Sequence, residues 1–293
     1  MEHDLPEVDV PPWYFRFAAA RLRAGRRGGN FLLRNFRRAG LLEKCARVSI
    51  GHGQTVLIPL HWKGSWYNAD LENYERAAVT AFSSAIEATR APAVLVDCGA
   101  DVGIYSRHVL ARARNVTRVV AFEPNERSHA LLVRNLAGLA VPAEALQAGV
   151  FDRSGRGDLH GERYQNHGAF MQPAETGGIR LYTVDELDLP RDLVLAMKVD
   201  VEGGELNVLR GAAASLARAR AFVVVFEAHP DVARRTGVDP SECLRELAAV
   251  RQCRWSVAER PDLTISAELP FFDQVPRDAV VNVVATSVSS PAT

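Results

Sequence analysis

The stretch Val94-Leu95-Val96-Asp97-Cys98-Gly99-Ala100-Asp101-Val102-Gly103-Ile104-Tyr105-Ser106 decides how this chain is read. Its apolar start, closed by a carboxylate, fits a buried strand. Gly99 and Gly103 then mark a tight turn, and Ile104, Tyr105 and Ser106 open a helix. A second apolar run, Arg118 to Phe122, ends in Glu123-Pro124-Asn125 at the distance expected of the next parallel strand. A strand, a glycine turn and a helix, followed by a strand ending in an acid, outline a crevice for a nucleoside whose ribose hydroxyls need an acceptor.

Downstream the alternation continues. The spacing of Leu131, Leu132 and Leu136 predicts a helix over about 126–138, and a third strand lies near 144–150. Strand 193–199 ends at Asp200 and leads into a helix over 204–218. Strand 222–227 ends at Glu227, and a helix near 240–251 follows. Two extended runs, 254–258 and 279–286, are placed to complete the sheet. The expected fold is therefore α/β: a Rossmann-like, doubly wound, mostly parallel seven-stranded sheet with a closing antiparallel hairpin. Segment 151–182, rich in Gly, Asp, Gln and His, reads as an irregular or hairpin insertion. Its His160, Tyr164, Gln165, Asn166 and His167 are polar enough to line a substrate site, or to form a solvated hairpin.

Upstream, Leu71, Tyr74, Ala78, Phe82 and Ile86 recur at helical spacing, and 46–60 reads as a β-hairpin turning at Gly51-His52-Gly53. Residues 1–12 read as a loose arm. Between Trp13 and Leu42, aromatic and aliphatic residues interleave with arginines around a break at Gly28-Gly29, a pattern of two short amphipathic helices. One reading is a cap that packs its apolar face on the main domain and turns its arginines to water. The other is peripheral membrane contact by residues 13–42. The glycine break, which shortens any continuous membrane-lying face, favours the cap. The expected organisation is an N-terminal basic helical and hairpin extension, 1–70, before a main domain, 71–293.

Bulk composition narrows the class. The 293 residues are 47% hydrophobic and 24% charged, which supports a globular core. Basic and acidic residues balance at 35 each, so overall charge gives no reason to expect a nucleic-acid partner. Cys45, Cys98, Cys243 and Cys253 have no metal-ligand spacing and fit reduced thiols. With no apolar run of membrane-spanning length and no signal-peptide pattern, a cytoplasmic location is expected.

A dinucleotide would want a third glycine, and the carboxylate of Asp101 in the turn would repel a pyrophosphate. S-adenosylmethionine carries an ammonium and a sulfonium and no phosphate, so it tolerates an acidic loop. Asp97, Gly99, Ala100, Asp101 and Gly103 are the candidates for its methionine end. Glu123, stiffened by Pro124, is the candidate acceptor for both ribose hydroxyls. At the end of strand 193–199, alternation puts Lys198 and Asp200 on one side of the sheet. Asp200 is the candidate base, Lys198 a stabiliser of developing negative charge or a tuner of the acid cluster, and Glu202 lies in the following turn. Glu205 opens a helix, where a carboxylate also suits the helix dipole. Asp200, Glu202, Glu227 and His229 would have to converge for a divalent metal to assist, with Asp200, Glu227 and His229 the minimal set.

These segments resemble the FkbM family of class I S-adenosylmethionine-dependent methyltransferases. The match lies in Asp97-Cys98-Gly99-Ala100-Asp101-Val102-Gly103, in Phe122-Glu123-Pro124-Asn125 and, most specifically, in Lys198-Val199-Asp200-Val201-Glu202-Gly203-Gly204-Glu205. Three positions depart from the family pattern: Asp101 in place of asparagine, Cys98 in place of an aliphatic residue, and Gly204 in place of alanine. The resemblance implies methyl transfer, often to a hydroxyl of a sugar, polyketide or other natural product, and hence a hydroxylated small molecule as partner. Methylation of nitrogen or another atom is the nearest alternative. A catalytically silent S-adenosylmethionine-binding module is an alternative of another class.

Overall fold

A computed structural model of the protein describes residues 5–62, 71–161, 169–190 and 192–288. Its centre is β4 (Ala93–Cys98), buried along its whole length. The chain runs from β4 through α4 (Ile104–Leu110), β5 (Val116–Phe122), α5 (Glu126–Leu136) and β6 (Ala143–Leu146), moving outward on one side. It then returns to the other side of β4 with β11 (Val194–Val199) and β12 (Ala221–Ala228), all parallel. β13 (Cys253–Val257) and β14 (Val281–Ser287) close the sheet, with β14 inserted antiparallel between β12 and β13. The order is β13-β14-β12-β11-β4-β5-β6, the expected seven strands with their closing hairpin. The winding reverses between β4 and β11, so the crevice for a ligand lies beyond the carboxyl ends of those two strands.

Alternation along β4 builds both layers of core. Val94, Val96 and Cys98 pack with Met197, Val199 and Phe226 on one face. Ala93 and Leu95 pack on the other with Tyr105 and with Phe82 of α3 (Arg76–Ala88). Local signals set the helix ends. The Asn125 side chain accepts from Arg127 N and Ser128 N at the start of α5.

Three elements differ from the sequence expectation. The run 144–150 is two strands: β6 stays in the main sheet, the chain bends at exposed Gln147, and β7 (Ala148–Val150) enters a second sheet. The insertion takes the hairpin form there, β8 (Gly155–His160) antiparallel to β9 (Phe170–Pro173), joined by β10 (Ile179–Tyr182) in the order β7-β10-β8-β9. The helix over 204–218 is broken into α6 (Glu205–Arg210) and α7 (Ala213–Arg218) at Gly211, where a Cβ would lie 2.1 Å from Phe151 O. A short helix, α8 (Pro230–Thr236), precedes α9 (Ser241–Val250) and was not read from the sequence. Proline starts it, His229 caps it, and Gly237 at φ 73° ends it.

The extension folds onto this body. β1 (Glu7–Val8) pairs in parallel with β2 (Cys45–Gly51), which forms the expected hairpin with β3 (Gln54–Pro59). The arm is thus held, not loose: Glu7 takes Arg47 and Arg134 at 2.6 Å each. The hairpin packs through Ile50, Val56 and Ile58 on Val102, Ile104 and Leu131. Buried Asn135 of α5 staples the contact, accepting from Leu57 N at 2.7 Å and donating to Leu57 O at 2.9 Å and Val102 O at 2.7 Å. α1 (Trp13–Arg23) and α2 (Gly29–Arg38) are the two expected helices.

Candidate active site

Three strand ends meet at the crevice, and Gly99 is the reason they can. A Cβ on Gly99 would lie 1.9 Å from Asp200 O, and its φ of 81° belongs to glycine. Its N–H and that of Ala100 donate to Phe122 O at 3.1 and 2.9 Å, locking the turn after β4 to the end of β5. Asp101 follows with a left-handed φ of 49°, and Gly103 at 85° caps α4 against Leu132. The Asp101 N–H donates to Glu123 Oε2 at 2.9 Å, and the Asn125 N–H donates to Oε1 at 2.8 Å. Burial and the nearby Asp101 charge push the Glu123 carboxyl up to about 8.

On the β11 side, Lys198 is buried, and its Nζ lies 2.6 Å from Gly99 O, 3.1 Å from Asp200 Oδ2 and 3.7 Å from Asp97 Oδ1. The first two are within hydrogen-bond distance and the third is an ion pair. Burial alone would pull its pKa down, but Asp200, Asp97 and Glu75 together outweigh it and hold the charge firmly on. That geometry ties Lys198 to the acid cluster.

Asp97 is fully buried beneath the turn and does not border the cavity. Alternation aims it at α4, where Ser106 Oγ donates to Oδ2 at 2.6 Å. Its contact with Ser106 ties the end of β4 to α4. Glu205 likewise braces the loop, accepting from Val201 N at 3.2 Å and Gly203 N at 3.0 Å. Burial raises its carboxyl to about 7.

The remaining candidates line a cavity of about 900 Å³, counted with its open mouth: Gly99, Ala100, Asp101, Glu123, Pro124, Lys198, Asp200 and Glu202. Gly103 lies behind the wall as the helix cap. The cavity also takes in Tyr74, whose helical spacing marked it only as part of a helix, Tyr105, read only as opening one, and the apolar roof of Leu159, Ala169 and Met171 from the inserted segment. Tyr74 is held there by stacking on His108, whose Nε2 bonds Leu71 O at 2.7 Å. Glu75, also unforeseen, sits in the same acidic field, its carboxyl raised by burial. His160 stacks on Phe170 in the roof, whereas Tyr164, Gln165, Asn166 and His167 lie outside the described residues.

Asp200, Glu227 and His229 do not make a ligand set. The His229 side chain caps α8 by accepting from Asp231 N at 3.1 Å. Among the described residues no group of three or more His, Cys, Asp or Glu side chains could hold a metal ion. Glu227 instead belongs to the acid cluster: burial first, then Asp200 and Glu202, push it up to about 9.

Charge is the test of fit for S-adenosylmethionine. The cavity wall carries the acidic side chains Asp101, Asp200 and Glu202, with Glu123 raised to about 8 beside them, and among the described residues one ammonium, Lys198, which is paired with Asp200. Such a wall repels phosphate and attracts a ligand bearing ammonium and sulfonium charge. The residues therefore suit the group.

Comparison with known proteins agrees. Residues 97–254 match the methyltransferase FkbM domain. No curated protein matches the chain. Solved structures similar to it include a geranyl diphosphate methyltransferase with GPP and sinefungin, at 13% identity over 76% of this chain and 81% of that one (TM-score 0.45). The plantazolicin methyltransferase with SAH is 9% identical over 76% and 91% (TM-score 0.38). A precorrin-6y C5,15-methyltransferase from Geobacter metallireducens GS-15 is 14% identical over 72% and 87% (TM-score 0.38). The family match runs from the end of β4 into β13, more than half of the chain. This protein belongs to the FkbM family of S-adenosylmethionine-dependent methyltransferases.

Proposed function

We propose that the chain methylates a hydroxyl oxygen of a small molecule, a sugar or natural-product intermediate, with Asp200 as the base. The observation that carries this reading is the placement of Asp200. It ends β11 on the cavity wall, 30% exposed, and is held by Lys198 at 3.1 Å. A carboxylate has acceptor sites to spare after one such contact. When bound, S-adenosylmethionine supplies an electrophilic methyl carbon. Gly99, Ala100 and Asp101 shape the turn around its methionine end, and Glu123 accepts its ribose hydroxyls. An alcohol is a weak nucleophile until its proton has somewhere to go, and Asp200 takes that proton as the oxygen is methylated. Lys198 positions Asp200, and Glu202, in a left-handed turn at φ 58°, borders the acceptor end.

A nitrogen acceptor is the second reading. The acidic wall that suits a cationic cofactor would also draw in an amine. Turnover with labelled S-adenosylmethionine over a panel of hydroxylated and amino acceptors separates the two. For the hydroxyl reading, Asp200→Asn should lower kcat by about 10²–10⁴ while cofactor affinity changes little. An unchanged kcat removes Asp200 from the role. Cofactor binding with no turnover on any acceptor would point to a silent binding module.

A further inference from the structure

The N-terminal helical hairpin has two apolar faces where packing needs one. Its inner face buries Phe15, Ala18 and Ala19 of α1 and Leu33 of α2 against Leu42, Ala46 and Leu60. On the opposite side of α1, Trp13 and Phe17 are one turn apart and are 73% and 54% exposed. Phe31, 70% exposed, stands on the outward side of α2, with exposed Arg34 beside it. Of the eight large hydrophobics exposed among the described residues, five (Val10, Trp13, Phe17, Phe31 and Leu41) fall in this one segment. Such a concentration of exposed apolar side chains is the sign of an interaction surface.

Charge divides the same way. Residues 13–44 hold eight arginines and one lysine against the single carboxylate of Glu43, in a chain whose charges balance overall. Arg16 and Arg23 of α1, like Arg34 and Arg38 of α2, are exposed, and the Arg21 guanidinium lies over the Phe17 ring at 5.7 Å. The glycine break does not divide this surface. A Cβ on Gly29 would lie 2.6 Å from Leu22 N, so glycine is what lets α2 fold back tightly against α1.

We propose that the outward face of this hairpin docks on an anionic lipid bilayer. Trp13, Phe17 and Phe31 enter the boundary between headgroups and acyl chains, and Arg16, Arg23, Arg34 and Arg38 pair with lipid phosphates. Arginine stems lie along apolar surface while their heads reach phosphate, and aromatic rings favour that boundary. A nucleic-acid duplex would use the arginines at its phosphates and leave the rings in water. The surface is separate from the cavity, so this proposal stands or falls independently of the acceptor chemistry.

The test is co-sedimentation of the full chain with vesicles of phosphatidylcholine alone or mixed with phosphatidylglycerol. The wild type should pellet with the anionic vesicles only, and less so as salt is raised and the Debye length shrinks. The variant Trp13→Ser/Phe17→Ser/Phe31→Ser should lose at least about tenfold in partitioning while still binding S-adenosylmethionine. Should that variant fail to fold, brominated lipid must quench wild-type tryptophan fluorescence and must quench Trp13→Phe distinctly less. A wild type that stays in the supernatant at low salt overturns the proposal. So does a folded triple variant that pellets as well as wild type, or quenching that Trp13→Phe leaves unchanged. Binding to a DNA or RNA duplex that matches vesicle binding would move the partner to nucleic acid.

Discussion

Glu123 is asked to do two things that oppose each other. As a buried carboxyl raised to about 8 it costs stability whenever it ionises, yet an ionised oxygen pair is what a ribose diol binds best. The N–H groups of Asp101 and Asn125, each on a separate oxygen, keep it aimed while that cost stands. Glu123→Ala should therefore weaken binding of S-adenosylmethionine or its demethylated product by on the order of 2–3 kcal/mol, roughly a hundredfold in Kd, for the loss of two charge-assisted bonds. Calorimetry reads this directly, and a Kd within about threefold of wild type would remove the ribose assignment. Reading single residues from the sequence worked where position in a strand sets position in space. Glu123, Asp200 and Lys198 all sit at strand ends, as expected. It did not separate Asp97, which braces from below, from Asp101, which faces the cavity. The side on which a helix packs decides that, and the sequence carries no local mark of it.

At the scale of elements, four of the five parallel strands, β4, β5, β11 and β12, were legible because each is a largely apolar run. The helix α5 was legible from its leucines, and the closing hairpin from its two extended runs. What could not be read were the joints. The break at Gly211 comes from Phe151 passing close by, and β1 depends on Glu7 reaching arginines far along the chain. Asn135 shows how much such a joint can carry. It lies among the leucine positions of a helix, and its amide satisfies Leu57 N, Leu57 O and Val102 O in the interior. Removing it leaves three buried backbone groups without that partner, at about 1–3 kcal/mol apiece. Asn135→Ala should then destabilise the protein by at least about 3 kcal/mol, seen as a lower urea midpoint. Asn135→Asp should be no better, since a carboxylate cannot donate to the two carbonyls. A variant unfolding within about 0.5 kcal/mol of wild type would mean the extension is not anchored there.

At the scale of the whole molecule, the site concentrates carboxyls in a low-dielectric interior and leaves the protein sensitive to base. Burial raises Glu123 to about 8, Glu205 to about 7 and Glu227 to about 9, all from an ordinary value of 4.5. Between the unfolded and folded values the native state binds more protons than the unfolded chain, so stability must fall as pH rises through that window. His61 works in the opposite sense. Burial lowers it to about 4 from 6.5, so it favours folding as pH climbs from about 4 to 6.5 and adds nothing beyond. Above about pH 6.5 the carboxyl effect is therefore unopposed by that histidine, and the thermal midpoint of the ligand-free protein should drop between pH 6.5 and 9. For a chain of this size each kcal/mol lost amounts to about 2–4 °C. The three carboxyls share Asp200 as a neighbour or lie close to its partners, so their contributions are not additive. At one fixed concentration, S-adenosylmethionine should recover more stability at pH 8.5 than at pH 6.5, because its positive charge offsets the ionised cluster and tightens its Kd there. A thermal midpoint flat or rising from pH 6.5 to 9 would show that these carboxyls are solvated, and would remove the electrostatic basis for a cationic ligand in the crevice.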